Sequence, residues 1–236
     1  MLTPKRIYEE ELLDAGDGTD DDVAENLADL RRINRVLGGT RVVLGALSNA
    51  ARRDHPAELS LLDVGTGSAD IPSAVSRWCR ARGIRPSLAA VDISERNLRI
   101  ARSRLGIDPE IELLQADALN LPFASRSFDY VTASLFLHHF HDEDVARLLQ
   151  DFARIARRAV IVNDLVRNLV PYYFIRMTGP VFATSYLTRN DGPVSVLRGF
   201  TADELSVQAA RAGLKQFRVR RVFPYRLSLV ADVSNV

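Results

Sequence analysis

The sequence predicts an α/β fold, and three observations predict it. Between residues 59 and 164, short apolar runs that suit strands alternate with longer segments of helical periodicity. A glycine-rich turn, GTGSAD, follows the first of these runs. Residues 214–222 and 224–230 then read as an antiparallel terminal hairpin. Five alternating strands plus the hairpin make a seven-stranded, mostly parallel sheet with helices on both faces.

Each element follows from its own residues. Residues 1–30 carry ten acids and read as a solvated segment. Within it, DAGDGTDDD is a loop that lacks the spacing and terminal Glu of a calcium site. Val23, Leu27, Leu30, Ile33 and Leu37 recur at helical spacing, and Gly38-Gly39 ends that helix. A second helix over 40–52 carries Val43, Leu44 and Leu47. These two are expected to form an N-terminal helical cap, 1–55, over the open end of the sheet, ahead of a main domain at 56–236.

Strand 59–64 leads into a helix over 71–82, which stops at Gly83. Strand 87–91 closes on Asp92, and Ser94 suits the N-cap of a helix over 95–105. Strands 110–114 and 128–134 follow, then a helix over 142–158 started by Asp142, then strand 159–164. Residues 165–200 interrupt the alternation, and Pro171, Pro180 and Pro193 are expected to break them into short pieces. Their Tyr and Phe content suits a lid over the site, with a homodimer interface as the alternative use. Thr201-Ala202-Asp203-Glu204 is a capping box for a helix that ends at Gly213.

The ligand is legible at the glycine turn. Gly65 and Gly67 let the backbone approach a ligand closely, and a helix N-terminus offers free N–H groups beside them. The dinucleotide pattern G-x-G-x-x-G fails, because Asp70 holds its third glycine position. Asp63 and Asp70 flank the turn and would repel a pyrophosphate at such range. They would welcome a cationic ligand, and S-adenosylmethionine carries an ammonium and a sulfonium and no phosphate. Asp92 ends the second strand, where a carboxylate can accept both hydroxyls of a ribose.

These residues carry a family resemblance. Asp63-x-Gly65-x-Gly67-x-Ala69, the strand-end acids Asp92 and Asp117, and the segment LPFASRSFDYVTASLFLHHF at 121–140 together resemble the class I methyltransferases. The group they resemble is the small-molecule one of ubiquinone and menaquinone biosynthesis, with a closer but fainter likeness to polyketide-tailoring methyltransferases. The resemblance covers about residues 59–164. It implies a Rossmann-like fold with S-adenosylmethionine as cofactor. It assigns Asp63, Gly65, Thr66, Gly67, Asp92, Ile93, Asp117, Ala118 and Ser134 to the cofactor, with Asp117 and Ala118 at the adenine.

Methyl transfer is a displacement at carbon that the protein assists mainly by positioning. A hydroxyl acceptor also needs a base. His138, and after it His139, stand just past the fourth strand and suit a phenol or an acidic enol. Tyr172, Tyr173 and Arg176 are substrate candidates in the lid, and Arg167 and Arg189 are candidate anion partners. The expected acceptor is small and aromatic or polyketide-like, methylated on oxygen, with carbon second and nitrogen third. No metal site is expected, since Asp164 has only Asn163 beside it rather than a carboxylate cluster. The rivals are a nicotinamide-dependent oxidoreductase and a non-catalytic cofactor-binding partner protein.

A net charge of +1 and Arg residues scattered over helix surfaces argue against a nucleic-acid partner. One cysteine, Cys79, excludes an internal disulfide and fits a cytoplasmic setting. No apolar run is long enough for a membrane span.

Overall fold

The computed structural model describes residues 3–106 and 108–234. Its helices are α1 (Asp20–Val36), α2 (Gly39–Asp54), α3 (Asp70–Arg80), α4 (Glu95–Leu105), α5 (Asp142–Ile155), α6 (Leu169–Phe182), α7 (Tyr186–Arg198) and α8 (Ala202–Arg211). Its strands are β1 (Glu58–Val64), β2 (Arg85–Asp92), β3 (Ile111–Gln115), β4 (Phe128–Ser134), β5 (Ala156–Leu165), β6 (Gln216–Val222) and β7 (Arg226–Asp232). They form one sheet in the order β3-β2-β1-β4-β5-β7-β6. All neighbours are parallel except β7, which runs antiparallel to β5 and β6. This is the Rossmann-like sheet with an antiparallel terminal pair that the sequence predicts.

Strand alternation sorts the core into two layers. Leu59 and Leu61 of β1 pack with Val43, Leu47, Ile71, Val75 and Trp78 of α2 and α3. Leu62 and Val64 pack on the other face with Leu148, Leu149, Phe152 and Leu205 of α5 and α8. The same period places Asp63 on the face of Leu61, beneath the start of α3.

The N-terminal helices divide in function. The two helices expected to cap the open sheet end pack in different places. α2 lies in the face layer, against β5, β7 and α3. Its apolar stripe, Val43, Leu47 and Ala50, is as buried as any in the core. α1 packs on α7, α2 and α4. Its Thr19 cap has the reciprocal Thr19–Asp22 bonds of a capping box.

The 165–200 segment is more regular than its prolines suggest. Pro171 sits in the first turn of α6, where no backbone donor is needed. Pro180 and Pro193 lie inside α6 and α7 without ending them. α6 packs chiefly on α7 and turns Tyr173, Phe174, Met177, Val181 and Phe182 outward. No described helix is long and apolar enough to cross a membrane.

Candidate functional site

The site lies at the C-terminal ends of the parallel strands, where an open α/β sheet leaves a crevice. β1 runs into the glycine turn, with Gly65 at φ +69° and Gly67 at φ +52°. Ala69 also takes a left-handed conformation as it enters α3. Other side chains hold this strained path. Asp92 Oδ2 accepts the Gly67 N–H at 2.8 Å, and the Thr66 N–H donates to the Val91 carbonyl. Arg104 donates to the carbonyls of Ser68 and Ala69.

A cleft of about 830 Å³ opens over this turn. Gly65, Gly67, Asp92, Ile93, Asp117 and Ala118 line it, so six predicted cofactor residues share one wall. Leu27 and Leu30 of α1 and Phe136 line it from other sides. Asp92 uses its other oxygen to accept from the Ser94 N–H at 2.9 Å. Asp117 caps its own turn, accepting from the Leu119 N–H at 2.9 Å, and keeps lone pairs for a further donor.

Asp63, Thr66 and Ser134 do not line the cleft; they support its wall. The Asp63 carboxylate is buried and accepts from Thr132 Oγ1 at 2.7 Å and Thr66 Oγ1 at 2.8 Å. Burial, with added repulsion from Asp70 and Asp92, pushes its pKa up to about 7 against the pull of those hydroxyls. Burial also raises Asp70, although Asn34 donates to it at 3.1 Å. Ser134 Oγ accepts from Asn163 at 2.7 Å and from Asn34 at 3.3 Å. Three carboxylates thus stand desolvated around the turn, a setting that favours a cationic ligand and disfavours phosphate. The acids of this wall would suit the ammonium and sulfonium of S-adenosylmethionine, so the residues present fit that cofactor.

The histidines sit on a single helical turn, Leu137–His139, just after β4. His138 is 2% exposed. Its Nδ1 lies 2.6 Å from Asp164 Oδ1, and its Nε2 faces Glu11 Oε1 at 3.6 Å. His139 lines the cleft, with Nδ1 2.6 Å from Asp14 Oδ2. Burial alone would lower the His139 pKa, but the Asp14 hydrogen bond and the charge of Glu11 raise it. The charge of His138 holds Asp164 below the usual carboxylate range in spite of its burial.

Other predicted contacts fall elsewhere. Tyr172, Tyr173 and Arg176 sit on α6, outside the residues that line the cleft. Arg167 is buried and committed to Glu204 and to the Pro4 and Gly199 carbonyls. Arg189 turns back onto the Ala183 carbonyl. Arg96 and Arg198 line the cleft; Arg198 of α7 donates to the carbonyls of His138 and His139 and fixes their turn.

Sequence reasoning missed the N-terminal segment. Tyr8, Glu10, Leu13 and Asp14 line the cleft, and Asp191 accepts the Leu12 and Leu13 N–H groups to hold this strap in place. Glu11 is only 5% exposed, so one acid in the run 9–11 turns inward. The apolar pair Leu12-Leu13 behind it was the available signal.

Comparison with known proteins agrees with this geometry. Residues 61–159 match the family described as "Methyltransferase domain". The demethylmenaquinone methyltransferase of Shouchella clausii is 28% identical over 181 residues, 71% of this chain and 75% of that protein. The ubiquinone/menaquinone biosynthesis C-methyltransferase of Rickettsia typhi is 31% identical over 101 residues, 42% of this chain and 40% of that protein. The chain spans about half the length of several other such relatives. Human N-acetylserotonin methyltransferase, solved with S-adenosylmethionine, shares the fold at a TM-score of 0.65 and 14% identity, over 97% of this chain and 62% of that one. Motifs, fold and relatives converge on an S-adenosylmethionine-dependent methyltransferase, similar to enzymes of the ubiquinone/menaquinone type.

Proposed function

We propose that the chain methylates a small hydroxylated aromatic acceptor, at the ring carbon beside the hydroxyl or at the hydroxyl oxygen. The observation that carries this reading is the position of His139. It stands in the wall of the same cleft as Gly65, Gly67 and Asp92, backed by a carboxylate. S-adenosylmethionine, when bound, supplies an electrophilic methyl on a sulfonium. The glycine turn and Asp92 would fix it in place, and Phe136 and Leu135 offer apolar surface at the acceptor end.

His139 is placed to take the acceptor's proton, with Asp14 orienting its ring. An aromatic hydroxyl that loses its proton becomes nucleophilic both at oxygen and at the adjacent ring carbon. One base therefore serves either outcome. The relatives named for demethylmenaquinone and for C-methylation favour carbon. Arg198 is how the 165–200 insertion would serve the site, by holding the histidine turn against the strap.

The test is turnover of S-adenosylmethionine with a panel of phenols, hydroquinones and quinols, with the product's methyl located by NMR. A ring-methyl product that His139→Ala reduces at least tenfold, with cofactor binding retained, supports the reading. A protein that binds the cofactor and methylates only amines would contradict it.

A further inference from the structure

We infer that Glu11, His138 and His139 form a binding site for one divalent transition-metal cation, of the zinc type, behind the cleft wall that His139 lines. One donor atom from each lies within 4.8 Å of the others. The inference rests on the cleft reading proposed above, and a cation held by His139 would take the place of that residue's role as base.

Three observations carry it. First, Glu11 Oε1 is buried and has no hydrogen-bond partner. At 3.6 Å, His138 Nε2 is too far for a good bond but close enough to share a cation. A buried carboxylate oxygen left unmatched is costly unless something satisfies it. Second, a carboxylate already occupies the Nδ1 side of both histidines, Asp164 on His138 and Asp14 on His139, each at 2.6 Å. Those partners fix the Nδ1–H tautomer and leave Nε2 as the lone-pair donor, the arrangement that supports metal-bound histidine.

Third, the charges balance with a dication. Glu11, Asp14 and Asp164 bring three negative charges, and Arg198, 3.9 Å from Glu11 and 3.6 Å from Asp14, returns one. Three protein ligands leave a fourth position, as zinc sites that act on a substrate do.

The experiment adds Co²⁺ to the full-length, chelator-treated protein and follows the visible absorption of tetrahedral cobalt, with S-adenosylhomocysteine titrated in parallel. The expected result is one cobalt per chain, lost in Glu11→Gln and weakened about 10- to 100-fold in Asp164→Asn, with S-adenosylhomocysteine affinity unchanged in both. Cobalt that binds wild type and Glu11→Gln equally, or gives no tetrahedral band, overturns the inference. If Glu11→Gln fails to bind S-adenosylhomocysteine, His139→Gln carries the test with the same expected loss. Wild type that binds S-adenosylhomocysteine but no cobalt refutes the metal alone. Wild type that binds neither refutes the cofactor reading beneath it.

Discussion

Substituting Gly65 by alanine tests the turn at its tightest point. The added Cβ would lie 2.1 Å from Cδ2 of Phe136. Ordinary carbon contact needs about 3.5 Å or more, so the ring must move by roughly 1.4 Å. Overpacking of this kind costs about 1–3 kcal/mol. The backbone stands at φ +69°, and a left-handed alanine costs about 1–2 kcal/mol more. The expected loss of stability is therefore about 2–5 kcal/mol. Gly83→Ala is the internal control, because Gly83 has φ +68° and nothing within 4 Å of its Cβ. It should lose only the backbone part, about 1–2 kcal/mol. Urea unfolding followed by circular dichroism measures both. Phe136 also lines the cleft and meets Phe140 edge-on, so its displacement should weaken S-adenosylhomocysteine binding in Gly65→Ala alone. Equal stability in the two variants, with unchanged binding, would refute the close packing on which the cofactor wall depends.

Two further outcomes follow from the buried polar groups. Asp63 has its pKa raised from 3.8 to about 7 on folding, so its protonated form is the one the fold favours. Its contribution to stability is full below about pH 4 and is lost as pH rises through about 7, a swing on the order of 4 kcal/mol. In urea titrations without cofactor, Asp63→Asn should gain on wild type as pH rises from 5 to 8, and a constant difference would contradict the assignment. Asn34→Ala removes a donor from half-buried Asp70 and from Ser134, and should cost about 1–3 kcal/mol. A loss below about 0.5 kcal/mol, the scale of an ordinary surface change, would show that this polar cluster is dispensable.

The cleft wall was legible in the sequence because strand ends and glycine turns are local. A period-2 run, a pair of glycines and an acid at the next strand tip place Gly65, Gly67 and Asp92 together once the strands are parallel. Asp63 was legible as important but not in its role. Its distance from the cleft depends on which face of β1 it takes, and its partner Thr132 lies on the neighbouring strand. The prolines of 165–200 misled, since Pro171 falls where a helix needs no donor, and tertiary packing on α1 and the histidine turn holds α7 together around Pro193.

Residues distant in sequence were the least legible. Asp14 meets His139 across 125 positions, and Arg198 meets the same turn across 59. No local pattern encodes either pairing. The acids of the N-terminus looked alike in composition, although only some turn inward. α2 was misplaced for a related reason. Its apolar stripe fits a cap or a face layer equally well, and only the exposed surface of β5 and β7 decides between them.

The measurement that bears most directly on the account is calorimetric titration with S-adenosylhomocysteine, wild type beside Asp92→Asn, and NADH as control ligand. The amide keeps the shape of Asp92 but loses the charge offered to a ribose diol. Loss of a charge-assisted hydrogen bond is worth about 1.5–3 kcal/mol, or roughly 10- to 150-fold in affinity. The account predicts micromolar S-adenosylhomocysteine binding to wild type, that loss in Asp92→Asn, and no binding of NADH. Tight NADH binding, or S-adenosylhomocysteine binding that ignores the substitution, would contradict it.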